Sequence, residues 1–138
     1  MRVSKKSGFI ISIPMYYLKK PSDDLVRKVS EAIKVKISPM YKSDWIDFFS
    51  IPELEIYWSK DFKFDYIKDE DVKSFVLNIL NRQHLKKMKV EALAELEKKY
   101  NEYMHIFRDN LSLMGFTIIV LSKKRIWEDA ELYTSKPI

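Results

Sequence analysis

The chain has 138 residues, a formal net charge of +5 and 46% hydrophobic residues, with aromatics at 14%. That apolar content excludes intrinsic disorder, and the length implies one domain, 1–138, burying roughly two-thirds of its unfolded surface. The chain lacks Cys and has only Gly8 and Gly115, which excludes disulfides, Cys-zinc sites, Walker loops, dinucleotide-binding glycine turns and GxSxG elbows.

The charge is sorted into blocks. Residues 1–42 carry net +7, 43–71 net −6, 72–127 net +6 and 128–138 net −2. A basic chain points to an anionic partner such as nucleic acid. An acidic island inside it points to a carboxylate site bordered by cations, or to a self-complementary surface. One Gln, no Cys and many Lys and Glu match a thermophile-like composition. The absence of Cys also suits a reducing, cytoplasmic setting.

The first element in chain order is a strand, Phe9–Tyr17, rich in β-branched and aromatic residues. It follows basic residues, as in a signal peptide, but Pro14, Tyr16 and Tyr17 interrupt the apolar run. No stretch approaches the ~20 apolar residues of a membrane span, so no membrane partner is expected. Ser22 is placed as an N-cap, and Leu25, Val26, Val29, Ala32 and Ile33 recur at helical spacing over 23–36. A connection over 38–52 holds a short helical turn near Asp44–Phe49.

Alternation then predicts a β-hairpin. Leu54, Ile56 and Trp58 face one side, and Phe62, Phe64 and Tyr66 continue the pattern beyond Ser59-Lys60-Asp61. Asp69 caps a helix carrying Val72, Phe75, Val76, Ile79 and Leu80. The phase slips at Asn81–His84, leaving one bent helix or two over 69–113. The second stripe, Leu85 to Leu111, predicts about 25–28 residues of helix, with Gly115 as a stop. Phe116–Leu121 reads as a buried strand, and Ile126–Tyr133 as a further edge strand. The ends, 1–7 and 134–138, are expected to be flexible.

The order is β-α-β-β-α-α-β. It predicts an α+β domain: an antiparallel sheet, helices on one face, split βαβ (ferredoxin-like) order and one long helix in the C-terminal third. The second sheet face would carry Ile10, Ser12 and Tyr16 with Thr117, Ile119 and Leu121, or their alternates. No helix is left to cover it, which argues for self-association.

Three constellations carry candidate chemistry. On the hairpin's polar face, Glu53, Glu55, Lys63 and Asp65 would meet, a set suited to Mg²⁺ or Mn²⁺ with a Lys beside a phosphate. Pro52-Glu53 followed by Asp61-Phe62-Lys63, with Glu31 on the preceding helix, resembles the PD-(D/E)xK nucleases over about a tenth of the chain. The resemblance implies a divalent-metal nuclease. The second constellation is basic: Lys5, Lys6, Lys19, Lys20, Lys123, Lys124 and Arg125, with Trp127 as a stacking platform. Phe62, Phe64 and Tyr66 have the aromatic spacing of the RNA-recognition motif, but no glycine separates them and the polar face is acidic. The third is the seam Leu93, Tyr100, Phe107 and Met114, spaced by seven, suited to a second chain or to the protein's own sheet. His84 and His105 match no metal spacing.

The sequence therefore predicts a small non-enzymatic binding protein without cofactor. Its partner would be nucleic acid or protein, and it would act as a homodimer. The alternatives are a metal-dependent nuclease and an acidic-surface inhibitor or structural protein.

Overall fold

A computed structural model describes residues 8–123. Its elements run β1 (Phe9–Ser12), β2 (Met15–Tyr17), α1 (Asp23–Ile33), α2 (Lys42–Phe49), β3 (Leu54–Lys63), α3 (Asp69–Leu80), α4 (Val90–Leu111) and β4 (Met114–Lys123). The fold is α+β, as expected, with a four-stranded antiparallel sheet and four helices. The long helix is α4, 22 residues, about 33 Å. The edge strand expected near Ile126–Tyr133 and both chain ends lie outside the described residues.

β4 is the centre of the sheet. It pairs antiparallel with β1 and β2 on one side and with β3 on the other. The strand expected over Phe9–Tyr17 is two short strands, end to end, parted at Ile13-Pro14. Proline has no N–H for a ladder, and here its carbonyl accepts from the Thr117 N–H instead.

The expected hairpin is a single ten-residue strand, β3. Ser59-Lys60-Asp61 contains no Gly or Asn to supply a turn, and the chain runs straight through, pairing with Ile119, Ile118 and Thr117. The register slips between Ile56 and Trp58, leaving Tyr57 as a bulge. A one-residue slip exchanges the faces. Ile56 lies opposite Leu121, whereas Trp58 and Phe62 lie opposite Val120 and Phe116, on the other face.

The inner face of the sheet carries Ile10, Ser12, Tyr16, Leu54, Gly115, Thr117, Ile119 and Leu121. Leu54, Ile119 and Leu121 form a buried cluster, with Ile10 and Phe49 packed on it. Phe49 belongs to α2, so α2 covers part of this face. It is held by the Trp45 indole N–H, which donates to the Met15 carbonyl at 3.0 Å. The Asp44–Phe49 turn expected from sequence is thus a full helix with a structural duty. The helices are not confined to one face: α1 and α3 flank α4, which reaches the opposite face near Tyr17.

Local chemistry explains the helix ends. Ser22 Oγ accepts from the Leu25 N–H at 3.2 Å, and Asp23 and Asp24 meet the positive end of the α1 dipole. Lys34 ends α1 in the left-handed region, φ 59°. α3 buries Val72, Val76 and Leu80, and Phe75 meets Tyr100 of α4 at 6.5 Å between ring centres. Residues 81–89 are turns, so 69–113 is two helices. Arg108 of α4 ties the segment after β3 down, bonding Asp69 and lying 4.8 Å over the Tyr66 ring. Gly115 is not a helix stop. It lies inside β4, where a Cβ would sit 2.6 Å from the Phe62 carbonyl oxygen.

Candidate functional site

The carboxylates and lysine expected on one hairpin face are not brought together. Glu55 lies opposite Ser122 and Lys63 opposite Gly115, seven residues apart along β4, about 24 Å. They also lie on opposite faces. The Ser122 hydroxyl donates to Glu55 at 2.7 Å. Glu53 precedes β3 and Asp65 follows it, both exposed. Glu31 accepts from Arg27 on its own helix. Among the described residues, no group of three or more metal-ligating side chains is placed to hold an ion.

Of the basic set, Lys5, Lys6, Lys124, Arg125 and Trp127 lie outside the described residues. Lys19 is anchored at Leu113, just before β4, and Lys20 follows it. Lys123 ends β4, about 30 Å away along the strand. The described members therefore do not converge. Among the described residues, no helix is long and apolar enough to cross a membrane. His105 bonds the Asn101 carbonyl at 2.7 Å, one turn back along α4.

Two other features stand out. The first is the sheet face opposite α2. Here β1 and β2 contribute Phe9, Ile11 and Met15, β4 contributes Ile118 and Val120, and β3 contributes Trp58. The bulged Tyr57 joins them, its ring 5.1 Å from Phe9. Ile11 and Tyr57 are each 68% exposed, Phe9 58%, Trp58 45% and Met15 41%. At ~200 Å² per side chain these five alone expose roughly 500–600 Å² of apolar surface. That is at the upper end for a monomer and typical of an interaction site. Sequence reasoning finds an uncovered face but leaves open which alternate residues form it. Ile10, Ser12 and Tyr16 lie on the face beneath α2, and their alternates form the open one.

The second feature is an open cleft of about 480 Å³ at the other end of the inner face, lined by Tyr16, Tyr17, Leu18, Lys42, Asp61, Phe62 and Lys63. The strand register builds it. Tyr16, Gly115 and Lys63 lie abreast, and Thr117 and Asp61 form the next row. A hydrogen-bond chain crosses these rows. The Tyr16 hydroxyl meets Thr117 Oγ1 at 2.9 Å, Thr117 donates to Asp61 Oδ1 at 2.6 Å, and Lys42 donates to Asp61 Oδ2 at 2.5 Å.

Lys42 first, then Thr117, holds the Asp61 carboxyl below the usual carboxylate range. The same bond raises the Lys42 ammonium. Behind the cleft, burial pushes the Tyr17 phenol up, while its bond to Asn110 at 2.6 Å opposes the shift. No local sequence signal announces this group. Tyr16 and Thr117 are 101 residues apart, and a hairpin reading puts Asp61 in a turn.

No protein-family model matches the chain, and no curated protein does. Among solved structures the chain resembles one described as "Crystal structure of MccD protein", with a TM-score of 0.72 at 17% sequence identity. The match covers 86% of this chain and 49% of that one, so the chain spans about half of the MccD length. At this identity the likeness concerns the fold.

Proposed function

We propose that the chain is a non-enzymatic binding domain that works as a homodimer, its open sheet face meeting the same face of a second copy. The carrying observation is the exposure of Phe9, Ile11, Met15, Tyr57 and Trp58 on one side of a sheet three strands wide. A stable dimer buries about 800 Å² per partner, of which these five side chains can supply roughly 500–600 Å². Sheets stack face to face about 10 Å apart, as two such faces would.

The rim charges favour a second copy over a foreign partner. Glu55, Trp58 and Lys60 lie opposite Ser122, Val120 and Ile118, so Trp58 sits midway between an acid and a base. A two-fold axis through Trp58 brings Glu55 of each copy to Lys60 of the other. Isologous contacts have this reciprocity. The cysteine-free sequence fits a cytosolic setting for such an assembly.

Sedimentation equilibrium tests the reading. The wild type should form dimers at micromolar concentration, and Ile11→Asp, which places a charge at an already exposed position, should be monomeric with unchanged circular dichroism. A wild type that stays monomeric at about 100 µM overturns it. So does a dimer that Ile11→Asp leaves intact.

A further inference from the structure

The cleft beside Tyr16 is a separate feature on the opposite face, and the open-face dimer does not use it. We infer that it binds a small organic monoanion, a carboxylate attached to an apolar body. The charges decide the sign. Lys42 and Lys63 border the cleft with Asp61, leaving one positive charge over. Both Asp61 oxygens are engaged, one by Thr117 and one by Lys42, so its negative charge is offset by the Lys42 ammonium. Lys63 makes no ion pair among the described residues. Its ammonium is the group that would receive the ligand's carboxylate, with Lys42 adding to the field.

The shape decides the body. Gly115 stands between Tyr16 and Lys63 without a side chain, and Leu18 lies over it, 3.2 Å from where a Cβ would be. Leu18 thus offers an apolar surface, half exposed, beside the cationic rim. Polar groups on the floor are already satisfied: Tyr16 and Thr117 are nearly fully buried and bonded to each other. They hold the floor rigid and leave Lys63, and the remaining N–H groups of Lys42, to receive a ligand. A volume of about 480 Å³ lies within the range of small-molecule sites. The open mouth suits weak, half-buried binding.

Benzoate is a suitable probe, with neutral benzamide as its control. In a ¹H–¹⁵N NMR titration, benzoate up to about 50 mM should shift the amides of Tyr16, Leu18, Lys42, Lys63 and Gly115 saturably. Benzamide should bind roughly tenfold more weakly, the worth of one charge-assisted bond. Lys63→Ala should lose about the same factor and Lys63→Arg should retain it. Lys63 is exposed at a strand end, so neither variant threatens folding. Shifts scattered over the surface lysines, equal binding of benzamide, or full binding by Lys63→Ala would each overturn the assignment.

Discussion

At the scale of single residues, the structure rests on a few positions where one atom decides the outcome. Lys34 is one. It closes α1 in the left-handed region, where a Cβ crowds the following carbonyl at a cost of about 1–2 kcal/mol, and glycine avoids that cost. Lys34→Gly should therefore stabilise the fold by about 1 kcal/mol, read as a rise in thermal midpoint. A fall would mean that the lysine side chain contributes more than its backbone costs.

Thr117 is a second such position. It sits between Tyr16 and Asp61, and Thr117→Val leaves both without their partner while keeping the volume. A loss of about 1–3 kcal/mol by urea denaturation is expected. The Asp61 carboxyl, held low by Lys42 and Thr117, gives a pH signature. Its folded pKa lies below the unfolded value, so its contribution is whole above about pH 4 and drains away as pH falls further. Asp61→Asn should flatten the stability profile below about pH 4 relative to wild type, and an unchanged acid slope would contradict the role given to Asp61.

At the scale of elements, the helices were legible because their apolar periodicity and caps act locally. Ser22 and the Val26–Val29–Ile33 spacing suffice for α1, and Val72, Val76 and Leu80 for α3. The β3 strand was not legible. Alternation says which residues share a face but not whether the chain turns, and the bulge at Tyr57 lies in the middle of an unbroken pattern. The even-numbered apolar residues from Leu54 to Phe62 therefore divide between two faces, and the expected carboxylate site separates along one strand.

Gly115 gains its meaning only from that pairing. Its Cβ position is filled by the Phe62 carbonyl, so Gly115→Ala should push β3 from β4 and cost about 1–3 kcal/mol. A neutral Gly115→Ala would show that β3 pairs less tightly with β4 than described.

At the scale of the whole molecule, the central sheet of the described residues has one face partly covered by α2 and the other largely exposed from Phe9 to Met15. The sequence shows blocks of charge and an uncovered face, but it cannot show which alternate residues are covered, because a short helix at 42–49 makes that choice. The acidic block that contains β3 is thereby recast. Glu55 and Lys60 are rim charges about 14 Å apart on either side of Trp58, in the order a two-fold contact needs. The cleft, on the α2 side, is lined from β2, α2 and β3 and leaves no trace in any one of them.

A charge exchange across the open face tests the homodimer most directly. Glu55→Lys and Lys60→Glu each place like charges at both reciprocal contacts, and each should dimerise roughly tenfold more weakly than wild type. Mixed together, the two variants meet as complementary surfaces and should form a heterodimer at wild-type strength, seen by native mass spectrometry. If both variants dimerise as well as wild type, or if the mixture shows no preference for the heterodimer, the open face is not where the two copies meet.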